Sequence, residues 1–142
     1  MNQSRIVLDT NVLVAGLRSR QGASFRLLSE VGQGRFELAL SVPLVLEYEA
    51  VLLRHRKPTG LSVRDIGALL DYLCSVGIRQ RVFYLWRPQL PDPGDDFVLE
   101  LAVAASCEVI VTHNLRDFAG TRRFGVKAMT PAAFLRHIGD LQ

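Results

Sequence analysis

The residues best suited to chemistry are carboxylates that fall where apolar runs end. Asp9 follows RIVL, Glu47 lies within VPLVLEYEAVLL, Asp96 opens DFVLELAVA with Glu100 one turn later, and Asn114 and Asp117 come after VIVT. Carboxylates gathered in one place repel one another and call for a cation between them. A site of oxygen ligands alone suits Mg²⁺ or Mn²⁺, which bind a few carboxylates, keep several waters and usually act on phosphates. Metal-dependent phosphodiester chemistry is therefore the first expectation.

Each acid also has a purely structural reading. Asp9, followed by Thr10 and Asn11, could cap a helix or close a turn. Glu47 falls at the border of an apolar stripe made by Leu44, Val45, Tyr48, Val51 and Leu52, where a glutamate is ordinarily solvated. Asp95 or Asp96 could cap the following helix, with Glu100 marking its solvent side. Turn chemistry alone could account for Asn114 and Asp117. A shared cation explains all of them at once.

The elements that must position these residues alternate. RIVLD, FELAL, EVIVT and GVKAM read as short buried strands, and RQRVFYLWR as an extended segment. Helices are expected over ASFRLLSEVGQG, closed by Gly32 or Gly34, and from Val42 to about Arg56 with Pro43 in the first turn. Lys57-Pro58-Thr59-Gly60 should break the second of these. LSVRDIGALLDYLCSVG, capped by Ser62 with Asp65 three residues on, makes another helix. The last two run from about Asp95 to Cys107, and from Pro131 behind a Thr130 cap. Such alternation predicts a single domain over residues 1–142, an α/β three-layer sandwich with a mainly parallel sheet flanked by helices. Ligands of such folds gather beyond the carboxyl ends of the strands.

Composition narrows the classes further. With 142 residues and 49% hydrophobic content the chain can bury a core of its own. Its formal charge of +3 would become more positive once bound metal neutralised the acidic site, which favours an anionic partner. Of the 17 basic residues only Lys57 and Lys127 are lysines, and arginine's planar fork suits phosphate contacts; codon preference is the plainer explanation. Cys74 and Cys107 lie in apolar stretches without a C-x-x-C pair, as reduced core thiols of a cytoplasmic protein do. No apolar run approaches the roughly 18 residues of a membrane span. His55, His113 and His137 lack zinc spacing, and phosphate-loop, dinucleotide and esterase motifs are absent.

Read in order, LDTNVLV, VLEYEAVL, LPDPGDDFVLELAVAA, VIVTHNLRDF and TPAAFL resemble the PIN-domain family, in the branch of VapC-like toxin components of toxin–antitoxin pairs. The resemblance runs from Ile6 to about Leu135. It implies a Mg²⁺- or Mn²⁺-dependent ribonuclease with Asp9, Glu47 and Asp96 as metal-holding acids. Many members carry T-x-D at the fourth acidic position; this chain has Thr112-His113-Asn114 with Asp117 three residues later, so either Asn114 or Asp117 would complete the site. Thr112 and Asn11 would hold the carboxylates, Glu100 would help with a second ion, and Arg18, Arg20 and Arg116 would steer RNA. A small antitoxin protein is the implied partner. A homodimer is a further expectation, from Leu46 and Leu53 on the outer side of the Glu47 helix, which could equally form a second buried contact.

Two other classes compete. A receiver-type phosphoacceptor would use Asp9, Thr112 and Lys127, but FELALS supplies no aspartate to accept the phosphoryl group. A non-catalytic PIN-like RNA-binding or scaffolding domain would account for asparagine at the fourth position, although the first and third acids are present.

Overall fold

The computed structural model describes residues 3–82, 90 and 95–139. Aliphatic runs form five strands: β1 (Ser4–Leu8), β2 (Phe36–Leu40), β3 (Ile78–Arg79), β4 (Val109–Val111) and β5 (Lys127–Met129). They pair in the order β3-β2-β1-β4-β5, every pairing parallel. Central β1 places Ile6 opposite Leu38 on one side and Val109 on the other. Ile6, Val7, Leu8, Val109, Ile110 and Val111 are all buried, which is why these strands read as unbroken apolar runs. Strand order reverses between β1 and β4. At such a reversal a crevice opens beyond the carboxyl ends of the two strands.

Helices flank this sheet: α1 (Thr10–Arg18), α2 (Ala23–Ser29), α3 (Val42–Arg54), the single turn α4 (Arg56–Thr59), α5 (Val63–Val76), α6 (Asp96–Ala104) and α7 (Pro131–His137). Ser41, Ser62 and Thr130 cap α3, α5 and α7 through their side chains, and Asp65 completes a reciprocal capping box with Ser62. The α/β architecture with a parallel sheet is as expected.

Several details differ from expectation. α1 has no counterpart among the expected elements: it is only nine residues long, and β-branched Val12 and Val14 with Gly16 are weak helix formers. Gly16 lets α2 approach α1: a Cβ there would lie 2.5 Å from Leu28 Cδ1 and 3.0 Å from the Ser24 carbonyl oxygen. α2 ends at Ser29, well before Gly32 and Gly34, which instead take left-handed turns at φ 83° and 86°. Lys57 and Pro58 fall within α4, with left-handed Gly60 behind it. A 3-10 segment, Leu115–Phe124, occupies what reads as a loop after β4. Of RQRVFYLWR only Arg79 lies in β3, paired with Leu40; residues 83–89 lie outside the described ones, as do 91–94 of the proline-rich loop.

Both cysteines are free thiols, and burial pushes that of Cys107 up to about 12. Leu46 and Leu53 are exposed on α3, together with Val42, so the described residues give them no second buried contact. Among the described residues no helix is long and apolar enough to cross a membrane.

Candidate functional site

β1 ends at Leu8, and Asp9 stands at the mouth of the crevice as the N-cap of α1. Its backbone N–H donates to the Val111 carbonyl at 2.9 Å, so the ladder to β4 continues into the site. The carboxylate does two jobs. Oδ1 accepts from the Thr10 N–H at 2.9 Å, while Oδ2 accepts from the Thr112 hydroxyl at 2.8 Å. Thr112, fully buried just past β4, also accepts the Asn114 N–H at 3.0 Å, fixing the loop that carries Asn114 and Asp117. Helix capping and site geometry are thus two uses of one carboxylate, which has about four lone-pair positions to offer.

α3 brings Glu47 to the same place. The Thr10 hydroxyl donates to Glu47 Oε2, linking the first turn of α1 to α3. Next along the helix, Tyr48 is buried and its hydroxyl donates to the Leu8 carbonyl at 2.6 Å. Asn11 accepts the His113 N–H through Oδ1 at 3.3 Å. The His113 ring meets Ser24 Oγ at 2.9 Å, tying the β4 loop to α2.

These residues border a cleft of about 400 Å³, lined by the carboxylates Asp9, Glu47, Asp95 and Asp117 with Asn11, Asn114, Arg18 and His55 among their neighbours. Asp96 and Glu100 do not line it. Both are buried in α6, and Asp96 Oδ1 accepts the Leu90 N–H at 2.9 Å. The acid that α6 turns to the cleft is Asp95, immediately before the helix. Of the three arginines expected at the rim, Arg18 borders the cleft; Arg20 lines a separate depression on α2 and the turn before it, and exposed Arg116 borders neither. Sequence reasoning gave Thr10 and His55 no role and treated Asp95 only as a cap. Nothing in the spacing distinguishes Asp95 from Asp96, because a one-residue shift on a helix of uncertain start exchanges their faces.

The cleft is electrostatically strained at Asp9. Burial pushes its carboxyl above the usual range, the hydrogen bonds from Thr112 and Thr10 oppose that, and the charges of Glu47 and Asp117 add to the rise. Tyr48 is pushed up by its burial, with Asp9 and Glu47 again contributing. A cation in the cleft would relieve both groups. No cluster of three or more His, Cys, Asp or Glu side chains among the described residues could hold a metal ion. The donor set is therefore a few oxygens around an open cleft, which fits a cation that keeps most of its water, as Mg²⁺ does.

A parallel sheet with acids gathered at its strand-order reversal defines the class, and the chain belongs to the PIN-domain family, whose profile matches residues 5–116. Among solved structures it is similar to a chain of VapBC2 from Rickettsia felis, a crystal structure described as bound to a DNA fragment from their promoter. The two are 14% identical over 89% of this chain and 98% of that one, with a TM-score of 0.60. At that identity the likeness concerns the fold. No curated protein matches the chain.

Proposed function

We propose that this protein is a divalent-metal-dependent ribonuclease. The observation that carries the reading is the convergence of Asp9, Glu47, Asp95 and Asp117 on one cleft, with Asp9 held above its usual range by burial and by two of those neighbours. Asp9 and Glu47 would hold Mg²⁺ or Mn²⁺ with most of its water kept, while Asp117 and Asp95 would lend negative charge to the cleft without ligating the ion directly. Asp96 would act from beneath by holding the turn at Leu90, and Glu100 by packing behind it. When bound, the metal supplies charge neutralisation at phosphoryl oxygens and a more acidic water. Thr112 and Thr10 hold the Asp9 and Glu47 carboxylates in place, Asn114 offers an amide at the mouth, and Arg18 meets the RNA backbone, with Arg20 and Arg116 steering from farther out.

Its biological setting would be that of a toxin restrained by a small antitoxin protein, acting in the cytoplasm. Support for this comes from the family and from the fold shared with a VapBC2 chain. The exposed Val42, Leu46 and Leu53 on α3 leave room for a homodimer contact.

Mn²⁺ titration by calorimetry, run beside cleavage of single-stranded RNA with and without EDTA, tests the proposal. Wild type should bind Mn²⁺ and cut RNA only with metal, and Asp9→Asn should lose both. A second reading, a non-catalytic RNA-binding or scaffolding domain, is favoured by the lack of a three-ligand cluster among the described residues. RNA binding by a protein that takes up no Mn²⁺ and never cuts would decide for it.

A further inference from the structure

The cleft changes character along its length. α1 carries Asp9 at its N-cap and Arg18 in its last turn; α3 carries Glu47 in its second turn and ends at His55. Arg18 lies nine positions beyond Asp9 and His55 eight beyond Glu47, about 12–14 Å along a helix axis. Val14 and Val51, each about midway between the members of its pair, also line the cleft. The acids are therefore followed by an apolar strip and then by two nitrogen-bearing side chains.

Helix-end chemistry explains part of this. A cation in the last turn of α1 complements the dipole, and His55 sits at the C-cap of α3, where its backbone N–H also bonds the Val51 carbonyl. It does not explain why both side chains line one cleft. His55 Nδ1 lies 2.8 Å from the Val51 oxygen, and since a carbonyl only accepts, Nδ1 carries the proton there. The ring is thereby fixed, and Nε2 is the one polar atom left to meet a ligand. A guanidinium, a positioned imidazole nitrogen and an apolar strip match the repeating parts of a nucleic-acid strand: phosphate, ribose and base face.

We infer that Arg18 and His55 form a substrate-positioning subsite for a nucleotide flanking the cut, Arg18 on its phosphate and His55 Nε2 on its ribose–phosphate backbone. The inference rests on the ribonuclease reading for its substrate, and the strip between Val14 and Val51 takes a base without reading its identity. The strand then crosses the cleft in one direction, the acids at the scissile phosphate and the cationic end a fixed distance away. Both are positioning residues; neither takes part in bond cleavage.

The test uses the full chain and labelled single-stranded RNA oligonucleotides of two and six nucleotides. Binding is measured by anisotropy in EDTA across a salt series, and cleavage with Mn²⁺. Arg18→Ala should weaken binding of the six-mer about tenfold and lower its salt slope by about one, the mark of one lost phosphate contact. His55→Gln should raise KM for the six-mer with kcat held, and the loss in both variants should be smaller on the dinucleotide than on the six-mer. Arg18→Lys should restore the salt slope more fully than the affinity, since lysine keeps the charge but not the fork. Unchanged affinity and slope in both variants, with only the melting temperature lowered, would reduce the two residues to helix caps and overturn the inference. Arg18-dependent binding by a wild type that never cuts would uphold the subsite and sink the ribonuclease reading. Wild type that neither binds nor cuts would overturn both.

Discussion

The phenol of Tyr48 donates a 2.6 Å hydrogen bond to the carbonyl of Leu8, and these two residues are the immediate neighbours of Glu47 and Asp9. One buried contact thus sets the distance between a helix-borne acid and a strand-borne acid. Glu47 also receives the Thr10 hydroxyl, so α3 is fastened to the start of α1 on either side of the cleft wall. Hydrogen bonds donated by Tyr48, Thr10 and Thr112 thus hold the two acids in place.

Tyr48→Phe keeps the packing and deletes that one bond. Stability should fall by about 1–2 kcal/mol, the usual loss when a buried hydrogen bond is removed. Cleavage should fall further than this loss explains, because Glu47 is no longer held in step with Asp9. Denaturant melts and steady-state cleavage on the same preparation check the pair of effects; normal activity at reduced stability would show that Thr10 alone suffices to place Glu47.

Metal-free stability should depend on pH through Asp9. Burial raises its folded-state carboxyl above the unfolded value, so the folded protein holds a proton that the unfolded chain has released. The native state binds more protons across that window, and stability falls as pH rises from the unfolded value through the folded one. Above it the full penalty persists. Asp9→Asn removes the ionisation and should melt higher than wild type in EDTA near neutral pH, with the gap closing toward pH 4. Mn²⁺ should raise the wild-type melting temperature and leave the variant's unchanged. An Asp9→Asn protein that melts lower at every pH would show that the two hydrogen bonds on the carboxylate outweigh its desolvation.

Asp95 and Asp96 should separate by phenotype. Asp95→Asn is expected to weaken Mn²⁺ binding and cleavage with little change in melting, because Asp95 lines the cleft. Asp96→Ala leaves the Leu90 N–H without its carboxylate acceptor and should cost about 1–3 kcal/mol. If Asp96→Asn instead abolishes metal binding at full stability, Asp96 is the ligand and Asp95 the cap.

The parallel sheet was legible because IVL and VIV are unbroken aliphatic runs bounded by polar residues, and FELAL is interrupted only at Glu37, a pattern that buried parallel strands impose. The caps at Ser62 and Thr130 were legible because capping is local chemistry. α1 was not, since nine residues that include β-branched Val12 and Val14 and Gly16 give a weak local helix signal. Thr10 and His55 escaped notice for another reason: their meaning lies in contacts with residues 37 and 4 positions away, and neither residue type announces a partner. Asp95 against Asp96 is the sharpest case. Rotating a helix start by one residue moves a side chain by about 100°, and only tertiary packing fixes that angle.

The fourth acidic position offers a choice between an amide and a carboxylate. Asn114 and Asp117 both border the cleft, and Asn114 is held by its backbone N–H on Thr112 rather than by its side chain. Asp117 also contributes to the raised pKa of Asp9, which places its charge within electrostatic reach of that carboxylate. A carboxylate attracts a cation with a full charge and an amide only with a dipole, so Asp117 should dominate. Asp117→Asn is expected to weaken Mn²⁺ binding and cleavage clearly, by tenfold or more in kcat/KM, on the order of 1.4 kcal/mol. Asn114→Ala should lower cleavage only a few-fold, with Mn²⁺ affinity nearly unchanged. Removing the Asp117 charge should also let the Asp9 carboxyl relax toward its usual range, shifting the acidic limb of the pH–rate profile downward. Wild-type cleavage in Asp117→Asn beside an inactive Asn114→Ala would reverse the assignment and make the amide the group that orients the attacking water.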